Sequence, residues 1–460
     1  MGEEKKKDLM KGWARYDGSE KLEPRAKGLM DFVGRCKTER EVVRYLEEKA
    51  KSLGAAALEE GAPASPGSAL YMNWKGRAFA LVRVGRLPVS LGLNFIISHA
   101  DAPRVDVKQR PLYEKDNIAM FDCHYYGGIK KYQWTNVPLA LHGEIHRHGE
   151  TLPVVVGEDA ADPVFIFPDL EPHIDRNMND RKASETVDAE NLDAIVAHRP
   201  NDGEISAALS AVLKDRFGLD DSSFASADLA LVPAGPAREV GFDRGLVGAY
   251  GLDDRICACA TLEAWQAMTE TPDRTAVLMV MDKEEIGSQS IGGAEGAFVE
   301  QLALELLHAA KEPADSLSLR RCLSKSVALS ADVTSGRNPL YDSYYVRDQQ
   351  ALMGNGVGII KFSGSGGKVS ANEARGEIAA EFIEILDRRN IPWQCGSFGR
   401  IDKAGGGTLA RYLAQKGIDT VDCGPALLSM HSPFELASKA DYAALCDAYL
   451  AFFQEMTAPK

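Results

Sequence analysis

The sequence predicts an α/β protein: one α/β domain with a mixed or parallel sheet, interrupted by an inserted, largely β domain. Three observations carry this. Residues 91–98 and 275–281 are almost unbroken apolar runs, as expected of strands covered on both faces. Strand and helix signals alternate up to about residue 103 and again after about residue 236, the pattern of βα units. From 104 to 236 the texture is instead short strand-like pieces separated by Gly, Pro and acidic turns.

Taken in order, the first clear helix begins at Thr38. Thr38 and Glu41 have capping-box spacing, and Val42, Leu46, Ala50 and Leu53 form an apolar stripe that ends at Gly54. Strands are predicted at 77–84 and 91–98. Within the insert, 152–156 and 163–167 read as strands and 176–191 as a polar connection. The second part of the α/β domain then predicts a helix at 254–268, a strand at 275–281, a helix at 295–310 and strands at 326–330 and 357–362. Helices follow at 372–389 and 408–416. A C-terminal helix capped by Ser438 carries Tyr442, Leu445, Tyr449 and Phe452 on one face. The sequence shows no internal repeat.

Composition limits the partners. With 460 residues, 45% hydrophobic and 26% charged, the chain can bury more than one core. A net charge of −14 argues against nucleic acid and anionic membranes, which need a cationic footprint. The charged first eleven residues lack a secretory apolar region, and no run is long enough to span a bilayer, so a soluble cytoplasmic protein is expected. The eight cysteines are scattered. Cys257 and Cys259, one residue apart, suit neither a zinc knuckle nor a thioredoxin-type pair, and all read as reduced core residues.

Five polar clusters fall just past apolar runs or at tight turns. They are Ser98-His99-Ala100-Asp101, Gly251-Leu252-Asp253-Asp254, Asp282-Lys283-Glu284-Glu285, Ser330-Ala331-Asp332 and Ser429-Met430-His431-Ser432. Side chains beyond the carboxyl ends of sheet strands converge on one crevice. Imidazoles and carboxylates without thiolates suit a pair of divalent ions, zinc, cobalt or manganese, bridged by a carboxylate at about 3.5–4 Å. Without cations so many carboxylates would repel one another. Glu284 and Glu285 are adjacent, so in extended geometry they point to opposite sides; one can ligate while the other moves protons. On composition alone Asp254 serves as a bridge as well as Asp253.

In this order, His99-Ala100-Asp101-Ala102-Pro103-Arg104, Leu252-Asp253-Asp254, Asp282-Lys283-Glu284-Glu285-Ile286-Gly287-Ser288, Ser330-Ala331-Asp332 and Cys423-Gly424-Pro425 with Ser429-Met430-His431-Ser432 resemble the aspartyl aminopeptidase and aminopeptidase I family over nearly the whole chain. The segment Tyr125-Tyr126-Gly127-Gly128 through Trp134 is similar to the family's bacterial branch. The resemblance implies a metalloaminopeptidase acting on peptides with a free N-terminus. It also implies a zinc-exopeptidase-like α/β/α catalytic domain (1–103 and 237–460) with residues 104–236 as dimerisation domain, and a homo-oligomer, a dodecamer built from dimers. His99 and Asp332 would bind one ion, Glu285 and His431 the other, with Asp253 bridging and Glu284 the general base. Asp101 would orient His99. His173 would reach into the neighbouring subunit's site. After Asp332 the chain reads Thr334-Ser335-Gly336-Arg337-Asn338-Pro339 where the eukaryotic branch has histidines, so an acidic substrate preference does not carry over.

Blander readings stand beside these. His124, His142, His146, His148, His198 and His308 lack partner motifs and read as structural. Gly364-Ser365-Gly366-Gly367-Lys368 lacks the Walker spacing and reads as a turn. Gly405-Gly406-Gly407-Thr408 either lines a substrate channel or caps a helix. Residues 130–134 read as fold or interface residues of the insert. A two-metal carboxypeptidase or deacylase, and a catalytically vestigial assembly, are the alternative functions.

Overall fold

The computed structural model describes residues 10–58, 61–147, 149–200, 205–217 and 221–457. His148 lies outside them. The centre of the protein is a nine-stranded sheet, in the order Ala56–Ala57, Ala69–Trp74, Ala78–Arg83, Thr275–Met281, Leu93–His99, Val327–Ser330, Asp419–Gly424, Val357–Ile360 and Trp393–Cys395. Its four middle strands, from Thr275–Met281 to Asp419–Gly424, are parallel. Met281 pairs with His99 and Ser330 with Ile97, so the carboxyl ends of three strands open at one edge.

Alternate residues of these strands enter two cores. Ala276, Leu278 and Val280 pack with the helices Leu22–Arg35, Glu39–Ser52, Leu252–Ala267, Gly376–Arg388 and Lys439–Glu455. Val277, Met279 and Met281 pack with Phe298–Ala309, Ser316–Ser324 and Ala410–Gln415. This is an α/β/α sandwich, and burial on both sides explains why the strand has no polar alternation. A second sheet of five strands, Arg238–Val240, Leu246–Ala249, Glu435–Ser438, Ala426–Leu428 and Thr334–Ser335, adjoins it.

Residues 104–233 supply a six-stranded sheet, in the order Glu150–Val156, Leu139–Arg147, Asp228–Pro233, Arg104–Lys115, Ile118–Tyr126 and Ala194–Ala197. All its pairings are antiparallel. It has its own core around Val105, Phe121, Trp134, Leu141, Ile145 and Leu231. Trp134 is fully buried there, edge-on to Tyr250.

Several elements differ from the sequence reading for identifiable reasons. The helix after Thr38 has the capping box, but Leu53 sits at its end and is exposed. The segment 163–167 makes only isolated bridges at Phe165 and Ile166. Pro163 opens it and Pro168 follows it, and neither can donate to a ladder. The helix predicted from 372 begins at Gly376, because Glu373 and Ala374 instead pair with Phe362 and Lys361. The helix predicted from 295 begins at Phe298, after a turn through Gly293 and Gly296. Ser438 precedes the last helix without a side-chain capping bond. The helices Lys11–Tyr16, Leu22–Arg35, Ile205–Phe217 and Ser316–Ser324 were not foreseen.

The sheet of residues 104–233 meets the rest of the chain through buried charges. His142 Nδ1 lies 2.8 Å from Glu41 Oε1 and its Nε2 3.1 Å from Glu158 Oε1, while Lys37 Nζ is 2.5 Å from the same Glu158 oxygen. Burial opposes protonation of His142, but Glu158 and Glu41 outweigh it and raise its pKa above 6.5. Burial likewise opposes ionisation of Glu41 and Glu158; His142, helped by backbone N–H groups at Glu41 and by the Lys37 ammonium at Glu158, overcomes it and holds both below 4.5. The His contribution is therefore complete below pH 6.5 and lost as pH rises through the folded value. The carboxylate contribution is complete above pH 4.5 and lost as pH falls. His142→Ala is expected to destabilise by about 1–3 kcal/mol, because Glu41 loses the imidazole it faces while Glu158 keeps Lys37. Thermal melts should show the largest loss between those limits and a smaller one at alkaline pH.

Among the described residues no helix is long and apolar enough to cross a membrane. All eight cysteines are free, and only Cys395 is exposed.

Candidate metal centre

Each candidate side chain is placed by a strand end or a tight turn. His99 is the last residue of its strand, and Glu284 and Glu285 follow Met281 in a short 3-10 turn entered through the left-handed Lys283 (φ 65°). Asp332 lies two residues past Ser330. Asp253 is at the start of the helix Leu252–Ala267, where its peptide bond to Asp254 is cis. His431, itself left-handed (φ 64°), sits in the connection between Ala426–Leu428 and Glu435–Ser438. Non-glycine residues in this region of φ are uncommon and concentrate at functional sites.

These positions bring five side chains into two overlapping groups. Ligand atoms of His99, Asp253 and Asp332 lie within 4.8 Å of one another, as do those of Asp253, Glu285 and His431. Asp253 is common to both. Its Oδ1 is 3.2 Å from His99 Nε2 and its Oδ2 3.1 Å from His431 Nε2. Asp332 Oδ1 is 3.9 Å from His99 Nε2, and Glu285 Oε2 is 3.3 Å from His431 Nε2. The His99, Asp253, Glu285 and Asp332 side chains are almost wholly buried, whereas His431 is 30% exposed and opens the group to solvent.

The electrostatics are short of positive charge. Burial, and then the charge of Asp253, push Asp332 and Glu285 well above the usual carboxylate range. Glu284 is raised to about 7 by burial and by Asp101 and Asp253, with His99 and His431 opposing. Asp253 alone is held low, because His431 and His99 overcome its burial. Burial would lower His431, yet Asp253 and Glu285 raise it to about 10. Four carboxylates thus face two imidazoles. Glu285 Oε1 is buried with no hydrogen-bond partner among the described residues, and Asp253 Oδ1 has only the ion-pair contact with His99. Unpaired buried carboxylate oxygens are costly, and oxygen and imidazole donors of this kind suit hard to borderline divalent cations. The residues fit a metal pair.

The ligand backbones are themselves anchored. Asp101 accepts from the backbone N–H of Glu284 at 3.1 Å and of Glu285 at 3.2 Å. Asp254 accepts from the N–H of His99 at 3.3 Å. Glu435 accepts from the N–H of Asp253 at 3.0 Å and of His431 at 2.6 Å. Three buried carboxylates therefore fix the ground on which the ligands stand, a supporting layer of the kind metal sites require. Asp101, expected to orient His99, lies against its Nδ1, with the backbone carbonyl at 3.0 Å and Oδ1 at 3.4 Å. Sequence reasoning missed Glu435, although it lies four residues from His431. It also missed Tyr126, whose hydroxyl donates to Asp101 at 2.6 Å, and Gly128, whose carbonyl lies 2.9 Å from His431 Nδ1. No residue-type pattern marks a carboxylate that serves backbone N–H groups.

The remaining candidates lie apart. His173 is exposed, and its only described hydrogen bond is from Arg176 to its carbonyl. Arg337 is paired with Asp342. Thr408 donates to the buried Asp422 at 2.7 Å, and its hydroxyl accepts from Ala410 N–H at 3.4 Å, which is a weak cap. Gly364-Ser365 pairs antiparallel with Gly405-Gly406 in a two-stranded sheet. His124, His146 and His198 make hydrogen bonds within the insert, and His308 is near the end of a helix.

Comparison with known proteins adds to this geometry. A family model described as aminopeptidase I zinc metalloprotease (M18) matches residues 32–453. A protein described as probable M18 family aminopeptidase 1 from Thermotoga neapolitana is 40% identical over 444 residues, covering 95% of this chain and 97% of the relative. The crystal structure of an M18 aminopeptidase from Thermotoga maritima superimposes with a TM-score of 0.93 at 36% identity, over 96% of this chain and 98% of that one. The yeast mApe1 dodecamer shares the fold at 22% identity, with a TM-score of 0.74 over 94% and 96% of the two chains.

Proposed function

The chain belongs to the M18 family of zinc metalloproteases and is a metal-dependent aminopeptidase, a hydrolase of peptide bonds, and on that premise we propose how its residues divide the work. His99 and Asp332 hold one divalent ion, Glu285 and His431 hold a second, and Asp253 bridges them. The ions are zinc, with cobalt or manganese able to replace it. One observation carries this reading: the two oxygens of Asp253 each face a different imidazole. Bound there, the ions supply Lewis acidity toward the scissile carbonyl and the attacking water.

The protein residues do the rest. Glu284 belongs to neither ligand group, and it follows the fixed Lys283 turn beside them. It accepts the proton of the attacking water and passes it to the leaving amine. Carboxylates around the centre favour the free α-amine of a peptide N-terminus. Asp101 acts behind His99, Glu284 and Glu285 rather than on the substrate.

Residues 104–236 are proposed as the dimerisation domain of a homo-oligomer, a dodecamer built from dimers; the yeast relative is a dodecamer. In that assembly the exposed His173 enters a neighbouring subunit's site and supports the developing oxyanion. A reducing cytoplasmic setting agrees with eight free thiols.

The test is a fluorogenic aminoacyl panel with metal-depleted protein given back zinc, cobalt or manganese. Turnover should return with metal, on free-amine substrates only. Comparable turnover of N-acetylated substrates, or full activity without metal, would refute the reading.

A further inference from the structure

We infer that the insert completes the active site of its own chain: Tyr126 is a positioning residue that sets the Glu284–Glu285 backbone through Asp101, and Gly128 orients His431. The inference rests on the site assignment proposed above. Tyr126 ends the strand Ile118–Tyr126, paired with Arg104 at the start of its neighbour. Its phenol donates to Asp101 Oδ2 at 2.6 Å, the only side-chain hydroxyl to do so among the described residues. The two oxygens of Asp101 accept the consecutive N–H groups of Glu284 and Glu285. The hydroxyl is thus one hydrogen bond removed from the peptide groups that aim the base and a ligand.

The ring is held so that its hydroxyl has little freedom. Arg104 lies over it at 4.5 Å and Lys283 at 5.0 Å. Both cations are tied to the buried Glu39 of the α/β sandwich, at 2.5 and 3.1 Å. The chain then turns through the left-handed Gly127, where a Cβ would stand 3.3 Å from Glu285 Cβ and from Pro103. Gly128 follows, with its carbonyl at His431. Three consecutive residues of the insert therefore touch the supports or ligands on both sides of Asp253. A core role alone would be served by phenylalanine; the hydroxyl is what ties the insert to the catalytic turn.

The experiment compares Tyr126→Phe with Tyr113→Phe, Asp101→Asn and the Tyr126→Phe/Asp101→Asn double variant. Tyr113→Phe is the control, because it removes an equally short phenol–carboxylate bond, to Asp193, within the insert. Each protein is measured for kcat and KM with zinc, for the visible absorption of its cobalt form, and for its melting temperature. Tyr126→Phe should lose about 10–100-fold in kcat, the usual scale for a partner behind a metal ligand, and shift the cobalt bands. Its KM should stay within about twofold, since substrate binding is untouched. Tyr113→Phe should lower the melting temperature similarly with kcat and spectrum unchanged. The double variant should be no slower than Asp101→Asn alone, because both act through one bond.

The inference is overturned if Tyr126→Phe keeps wild-type kcat and spectrum, if its effect multiplies with that of Asp101→Asn, or if it alone fails to fold. Failure of the wild-type protein to take up cobalt would instead remove the site assignment itself.

Discussion

Replacing Glu284 with Gln is expected to lower kcat by roughly 10²–10⁴-fold, the usual contribution of a general base, while the zinc content per chain stays at the wild-type value. Gln keeps the shape of the side chain but cannot take a proton. Metal retention follows because Glu284 is absent from both ligand groups and is anchored through its backbone N–H to Asp101, a bond the substitution leaves in place. KM should change little, since the loss falls on a step after binding. The parallel change Glu285→Gln should behave differently and lose metal, because Glu285 faces His431 at 3.3 Å and contributes an otherwise unpaired buried oxygen. Steady-state kinetics and elemental analysis on the same preparations separate the two roles. Turnover of Glu284→Gln near the wild-type rate would remove Glu284 as the base.

Asp253→Asn should be at least as damaging and for another reason. Each oxygen of Asp253 faces one imidazole, His99 on one side and His431 on the other. Asn replaces one oxygen with an NH₂ group, a donor that cannot ligate, and it removes the charge that holds both histidines. Metal content should fall to one ion per chain or less, and activity to the detection limit. Asp254→Asn is the informative contrast. Asp254 belongs to neither ligand group and accepts the backbone N–H of His99, which an Asn carbonyl can still do, so metal content should persist. The reverse pattern would make Asp254 the bridge, the choice that composition alone leaves open.

Much of this arrangement could be read before any coordinates. The strand Thr275–Met281 matches the apolar run at both ends, because a strand buried on two faces leaves no polar residue to blur its limits. The same logic brings His99, Glu285 and Asp332 together, since all follow parallel neighbours whose carboxyl ends align. Local chemistry was legible where it was self-contained, as in the Thr38 and Glu41 capping box.

What could not be read depends on contacts between distant parts of the chain. The start of the helix Gly376–Arg388 was displaced by pairing of Glu373 and Ala374 with Phe362 and Lys361, just past the strand Val357–Ile360, which no local pattern announces. The helix Leu22–Arg35 does have an apolar stripe, at Leu22, Ala26, Leu29 and Val33, but Pro24, Gly28 and Gly34 weaken its signal. Glu435 lies in a strand and serves two backbone N–H groups, so its sequence context resembles any exposed strand carboxylate. Residues 130–134 were read as fold or interface residues of the insert, and Trp134 is in its core, whereas the preceding Tyr126 and Gly128, to which no role was given, face the centre.

Anomalous scattering from crystals of the zinc-loaded protein tests the central claim most directly. Two zinc peaks per chain are predicted, one beside His99 and Asp332, the other beside Glu285 and His431, with one oxygen of Asp253 directed to each. A single peak, or two peaks that do not share Asp253, would contradict it.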